Sequence, residues 1–323
     1  MDTTSVSGET GRFQVRGLNI AYHRWGTMGA PTVLFFHGFL DHGRSIEPVA
    51  RELSDTYQVI AMDARGHGDS DWIGAGGYYH FVDYFHDACV LIEHLRLADN
   101  ELHLLGHSMG GSIATGVSSI LGEKISSVMM LEGMGPPDES DVLPHKRLRD
   151  WQKSLARPMN QGSREARRAS RRSMPSIEAA ADRLQGLNKN IPRERALQFA
   201  ASFTEEISLE NDSPQFFWKF DPLHKTLGAR PFLYEYARDL WQNITAPVLS
   251  LWGSESVFRP EQVQRRHQCL EEVVVGKIEG AGHNIHHDKP ELLVPLIRAW
   301  LSGAREIPSM DGVVGTDLSL QPS

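Results

Sequence analysis

The chain has 323 residues, 40% hydrophobic and 23% charged, a globular composition large enough for one big domain or for a core with an inserted subdomain. Its formal charge of −8 argues against general nucleic-acid binding, and its two cysteines, Cys89 and Cys269, make neither a disulfide framework nor a zinc-ligand spacing. No apolar run approaches the roughly 18 residues of a membrane helix, and Met1–Ser5 lacks the features of a signal peptide, so the expectation is a soluble, cytoplasmic protein.

Residues 1–10 are small and polar and read as disordered. Phe13–Arg16 and Ile20–Trp25 read as strands joined by a turn at Gly17-Leu18-Asn19. Thr32–Phe36, Gln58–Met62, Leu102–Leu105, Ser127–Leu131, Val248–Trp252 and Glu272–Ile278 follow, mostly short apolar runs that suit strands buried on both faces. Between them, Ile46–Leu53, His80–Leu97, Ser112–Leu121, Pro260–Leu270 and Pro290–Leu301 carry apolar residues at helical spacing. This alternation predicts an α/β fold, a parallel sheet with helices on both faces.

The rhythm stops between about Gly135 and Gln242. Helical stretches at Ser176–Leu187 and Arg193–Phe203 and aromatics at Phe216, Phe217, Trp218 and Phe220 are present, but no strand of the earlier kind. The expected division is therefore a core over 11–135 and 244–303, a helical insertion over 136–243, and a flexible tail over 304–323. Between His145 and Arg172 ten basic residues face two acids, in a protein acidic overall. Arg164, Arg168 and Arg172 repeat every four residues and predict a basic helix face. It reads first as solvated, and secondarily as a surface for an anionic substrate, an acidic partner or a membrane.

Gly106-His107-Ser108-Met109-Gly110 lies between a predicted strand and a predicted helix, the setting that a G-x-S-x-G turn requires. A serine on so sharp a bend projects its hydroxyl, and small neighbours let strand and helix approach closely. The helix N-terminus then favours negative charge developing at that hydroxyl.

His37-Gly38-Phe39-Leu40, residues 63–70 (DARGHGDS), residues 106–111 (GHSMGG) and Gly280-Ala281-Gly282-His283 together resemble the α/β-hydrolase superfamily over about residues 13–134 and 245–302. The resemblance implies a mostly parallel, eight-stranded sheet with an inserted helical cap. It implies Ser108 as nucleophile, His283 as base, and the backbone amides of Phe39 and Met109 as an oxyanion hole. His286 and His287 are lesser alternatives for the base. His37 is implied to be structural, and Asp63 and Arg65 to fix their loop, with a catalytic Asp63 a minor alternative.

The third member departs from the family pattern. The usual position, third after the glycine ending the penultimate strand, is Ser256, which cannot act as an acid. Glu132, directly after the apolar run Ser127–Leu131, is the favoured acid, because a carboxylate there is costly to bury without a partner. Glu255 is the alternative. Serine at 108 points to acyl transfer: a serine hydrolase of carboxylic esters or related acyl bonds, in the serine-hydrolase-like branch that residues 131–137 (LEGMGPP) resemble. A C–C bond hydrolase, a cofactor-free haloperoxidase-like enzyme and a ligand-binding protein with little turnover are the rivals. No metal-ligand set or nucleotide fingerprint is evident, so no cofactor is implied; the expected partner is a small ester-like molecule.

Overall fold

The computed structural model describes residues 5–136, 142–156, 162–208, 213–258 and 260–316. Residues 1–4, Pro137, Arg157 and the last seven positions, which figured in the readings above, lie outside this set. In chain order the elements are β1 (Ser5–Val15), β2 (Leu18–Thr27), β3 (Thr32–Phe36), α1 (Glu47–Leu53), β4 (Gln58–Met62), α2 (Phe81–His94), β5 (Leu102–His107), α3 (Met109–Leu121) and β6 (Ser127–Leu131). Then come α4 (Pro144–Leu155), α5 (Arg164–Ala169), α6 (Ile177–Leu187), α7 (Arg193–Phe203), β7 (Thr204–Ile207), β8 (Gln215–Trp218) and α8 (Tyr234–Gln242). The chain closes with β9 (Val248–Gly253), α9 (Pro260–His267), β10 (Val273–Ile278), α10 (Ile285–Asp288), α11 (Pro290–Leu301) and β11 (Val313–Thr316).

Among the described residues the main sheet has nine strands in the order β1-β2-β4-β3-β5-β6-β9-β10-β11. The neighbours from β4 through β10 pair in parallel, while β1–β2, β2–β4 and β10–β11 are antiparallel. This is the α/β-hydrolase fold, with nine strands rather than the expected eight. The added strand is β11, in the tail read as flexible, where Val313 and Val314 pair with Ile278 and Lys277. At the other end β1 starts at Ser5 and pairs with β2 along its length, so residues 5–10, read as disordered, are strand. In both places polar, glycine-containing sequence is held by backbone hydrogen bonds to an edge, for which side-chain composition is a poor guide.

The strands that read as continuously apolar divide their side chains between two cores. Leu34, Phe36, Ile60, Met62, Leu104 and Val128 face α2, α3 and α8, whereas Val33, Phe35, Val59, Ala61, Leu105 and Met129 face α1 and α11. Helix α11 buries Leu293, Leu296, Ile297 and Trp300, at about 2 kcal/mol of transfer free energy each. The segment between β6 and β9 has a small core of its own, built on Met174, Ala180, Ala181, Ile191, Phe199 and Phe203. It is not wholly helical: β7 and β8 form an antiparallel hairpin, and Phe216, Phe217 and Trp218 are its second strand.

This segment packs onto the loops at the C-terminal ends of the strands. Asn188 Nδ2 donates to Asp288 at 2.6 Å, Asn190 Nδ2 to Glu255 at 3.0 Å, and Arg195 to the His287 carbonyl at 2.5 Å. Within the segment Arg167 of α5 is buried and its guanidinium grips the Asp221 carboxylate at 2.9–3.1 Å. Asp221 also accepts from Tyr79 at 2.9 Å, and its own amide donates to the Gly66 carbonyl. The basic stretch is thus not a simple solvated face: Arg164 lies 3.7 Å from Asp71, and Arg168 and Arg171 lie 3.8 and 2.5 Å from Glu205.

Candidate active site

Ser108 sits between β5 and α3 with φ 50° and ψ −113°, a strained backbone for a residue with a side chain. The bend is this tight because strand and helix nearly touch. A Cβ on Gly106 would lie 2.2 Å from the Gly110 carbonyl oxygen, and one on Gly110 would lie 1.9 Å from that of Phe36. The Ser108 amide is held by the Leu131 carbonyl at 2.9 Å, which ties the bend to β6.

Glu132 occupies the corresponding bend after β6. It too has positive φ, 55°, and its amide donates to the Leu251 carbonyl at 3.0 Å. Its side chain is fully buried. Oε1 accepts from the Gly253 amide at 2.8 Å, and Oε2 accepts from the Ser256 hydroxyl at 2.7 Å and from His283 Nδ1 at 3.1 Å. On the other side of the imidazole, His283 Nε2 is 2.9 Å from Ser108 Oγ. A carboxylate only accepts, so the proton is on Nδ1; the lone pair of Nε2 then faces the serine hydroxyl. The three side chains form a continuous relay from a solvent-accessible hydroxyl to a buried carboxylate.

Of the residues singled out from the sequence, the structure brings Ser108, His283 and Glu132 together. Glu255 is exposed and bonds Asn190 instead. Met109 follows the serine in the chain, and Phe39 follows Gly38. Met109 is the first residue of α3, where an N–H has no partner within its helix. Gly38 lies against the bend, since a Cβ there would be 3.5 Å from Ser108 Cβ. The Phe39 ring is half exposed and stands edge-on to His67 and His224, with centroids 6.4 Å from each. Burial depresses both imidazoles: His67 lies well below its ordinary pKa and His224 is lowered to about 3, so this wall is uncharged. On the opposite side Phe258 lies 5.6 Å from the His283 ring.

His37 is structural, its Nδ1–H donating to the Gly38 carbonyl at 2.7 Å and its Nε2 accepting from the Ala64 amide at 3.0 Å. Asp63 bonds His23, the Gly43 amide and the Asp69 amide, and Arg65 bonds Asp87 at 2.6 and 2.7 Å. Burial acts to raise the Asp63 pKa, but His23, with His42 and His37, holds the carboxyl below its usual range. His286 and His287 are buried, the His286 ring packing 4.5 Å from that of His107 and 4.1 Å from that of His287. Two supporting groups escaped the sequence reading. Ser256, dismissed as no acid, is a donor to the acid, and its place at the customary acid position was the available signal. His107, beside the serine in the motif, donates from Nε2 to the His283 carbonyl at 2.8 Å.

The family model described as alpha/beta hydrolase fold matches residues 31–290. The chain belongs to the α/β-hydrolase family. It is similar to a 2-(acetamidomethylene)succinate hydrolase of Mesorhizobium japonicum, 26% identical over 279 residues, which cover 84% of this chain and 88% of that protein. It is 32% identical over 118 residues to a 3-hydroxybutyrate-oligomer hydrolase of Cupriavidus necator, a match spanning 36% of this chain and only 39% of the relative. Among solved structures, a thioesterase domain from the curacin biosynthetic pathway superposes with a TM-score of 0.78 and 25% identity, covering 91% of this chain and all of that one. No described helix is long and apolar enough to cross a membrane.

Proposed function

We propose that this hydrolase cleaves carboxylic esters or related acyl bonds through a Ser108–His283–Glu132 triad and an acyl-enzyme. The observation that carries the reading is the relay itself, 2.9 Å from Ser108 Oγ to His283 Nε2 and 3.1 Å from His283 Nδ1 to Glu132. A serine hydroxyl is a weak nucleophile unless a base removes its proton as it attacks. His283 Nε2 takes that proton while Oγ bonds to the acyl carbon. The carbonyl oxygen becomes an oxyanion, stabilised by the amides of Phe39 and Met109. Each such donor is worth about 3 kcal/mol of barrier. The imidazolium then protonates the departing alkoxide or thiolate. The same base activates the water that frees the acid and restores the serine. Glu132 keeps the proton on Nδ1 and stabilises the imidazolium in between.

The segment between β6 and β9 acts in this reading as a cap over the site. The uncharged wall of Phe39, His67 and His224 suits an apolar or amphipathic acyl group. That similar proteins include a 3-hydroxybutyrate-oligomer hydrolase and a thioesterase domain supports acyl chemistry. A fluorophosphonate probe tests the reading. It labels the wild type and leaves Ser108→Ala unlabelled; an unlabelled wild type that also leaves p-nitrophenyl esters intact overturns it.

A further inference from the structure

Behind the His283 loop lies a group of polar side chains that the relay does not use. Asp41 follows the 37–40 loop, His107 precedes Ser108, and His286 and His287 lie on α10. All four are more than nine-tenths buried. Asp41 Oδ2, His107 Nδ1, both ring nitrogens of His286 and Nε2 of His287 have no hydrogen-bond partner among the described residues. Orphaned buried polar atoms are costly, and four side chains each bring at least one to the same place, which calls for a ligand.

Their spacing says which kind. Asp41 Oδ2 is 3.6 Å from His286 Nε2 and 3.6 Å from His287 Nε2. That is too long for hydrogen bonds, and one oxygen faces two imidazoles equally. Asp41, His107 and His286 each bring a ligand atom within 4.8 Å of the other two. Tetrahedral coordination with bonds of 2.0–2.1 Å places ligand atoms about 3.3–3.4 Å apart, so seating an ion closes the Asp41–histidine gaps by a few tenths of an ångström and the His107 contacts by up to about 1.4 Å. The outer contacts also match a metal site. Asp41 Oδ1 is taken by the His42 amide at 2.7 Å, which leaves Oδ2 for an ion. His107 donates from Nε2 to a backbone carbonyl, so its Nδ1 carries a lone pair.

The second acid–histidine group, His23, Asp63 and Asp69, is the internal contrast. There Asp63 is saturated by His23 Nε2 and the amides of Gly43 and Asp69, and nothing is left to bind an ion.

We propose that Asp41, His107 and His286 form a buried site for a divalent first-row transition metal ion, with His287 packed against Asp41 as a neighbouring donor. The sequence concealed it because the donors come from three distant loops. Mixed nitrogen and carboxylate donors select zinc, cobalt or nickel over magnesium or calcium. The ion ties together the loops that carry Phe39, Ser108 and His283. This assignment does not rest on the acyl-transfer reading.

Cobalt(II) and zinc added to metal-stripped full-length protein are the probes. One cobalt per chain binds, giving the intense visible absorption of four-coordinate cobalt, displaced by zinc, and raises the melting temperature. Ser108→Ala and His283→Ala retain the spectrum. Asp41→Asn and His286→Gln weaken cobalt binding at least about tenfold. Circular dichroism checks that each variant is folded, and either variant suffices if the other is not. Absence of the spectrum in the wild type, or wild-type affinity in a folded Asp41→Asn, overturns the proposal. Loss of the spectrum in His283→Ala does so too, because it places the ion at the relay.

Discussion

Replacing Glu132 by glutamine tests the relay at the point where the family pattern is broken. Both oxygens of Glu132 are acceptors: Oε1 takes the Gly253 amide, and Oε2 takes the Ser256 hydroxyl and His283 Nδ1–H. Glutamine offers one acceptor and one donor. With its NH₂ towards Gly253, two donors oppose each other in a fully buried place, at a cost of about 1–3 kcal/mol. With its NH₂ towards His283, the imidazole is driven to the other tautomer, and Nε2–H rather than a lone pair faces Ser108. The expected fall in kcat is about 10³–10⁴-fold, or about 4–5 kcal/mol of barrier. Ser256→Ala removes one donor to the carboxylate and is expected to cost about tenfold. The combination of Glu132→Gln with Ser256→Asp is the sharper experiment. Ser256 Oγ is 2.7 Å from the very oxygen that holds His283, so a carboxylate at 256 can reach the imidazole and is expected to recover at least about tenfold of the loss. The assay is p-nitrophenyl acetate turnover, normalised by fluorophosphonate titration of active serine. A Glu132→Gln enzyme within tenfold of wild type, or one surpassed in damage by Glu255→Gln, refutes the reasoning.

Buried histidines make stability depend on pH. His267 is lowered to about 4 by burial, so the unfolded chain binds its proton first as pH falls below 6.5. Stability supplied by this group is therefore present above pH 6.5 and lost between 6.5 and 4; urea unfolding at pH 5 against pH 7 is expected to show about 2 kcal/mol from His267, absent in His267→Gln. Arg167→Met leaves the Asp221 carboxylate buried without its cation, and chemical denaturation is expected to show a loss of about 3–5 kcal/mol, largely restored by adding Asp221→Asn. Gly110→Ala drives a methyl group to 1.9 Å from the Phe36 carbonyl; the prediction is that activity falls at least about tenfold while Gly74→Ala, which meets nothing within 4 Å, leaves it unchanged.

The inner strands were legible because burial on both faces writes itself as an unbroken apolar run: Thr32–Phe36, Gln58–Met62 and Ser127–Leu131 are the observed strands residue for residue. Helix α3 was read as starting at Ser112 but starts at Met109, because the glycines at 110 and 111 that weaken a helical pattern are what the close packing requires. Edge strands β1 and β11 and the hairpin β7–β8 were missed or shortened. Their stability lies in backbone pairing with a partner remote in sequence. At the site, the strand–turn–helix motif pointed to Ser108, the family resemblance to His283, and the cost of burying a lone carboxylate together with that resemblance to Glu132. The contribution of Ser256 and the grouping of Asp41 with His286 were invisible, because neither follows from local sequence and both depend on how loops converge.

Arg167 and Asp221 both lie in the segment between β6 and β9, and this buried pair fastens α5 to the chain after β8. Tyr79 and the Gly66 carbonyl meet the same Asp221 from the loop after β4, so one charged residue holds three stretches of chain together. At the other edge Asn188, Asn190 and Arg195 bond Asp288, Glu255 and the His287 carbonyl, each through its own partner. Neutralising Asp221 therefore loosens α5, the chain after β8 and the loop after β4 at once, whereas a change at Asn190 releases a single tie.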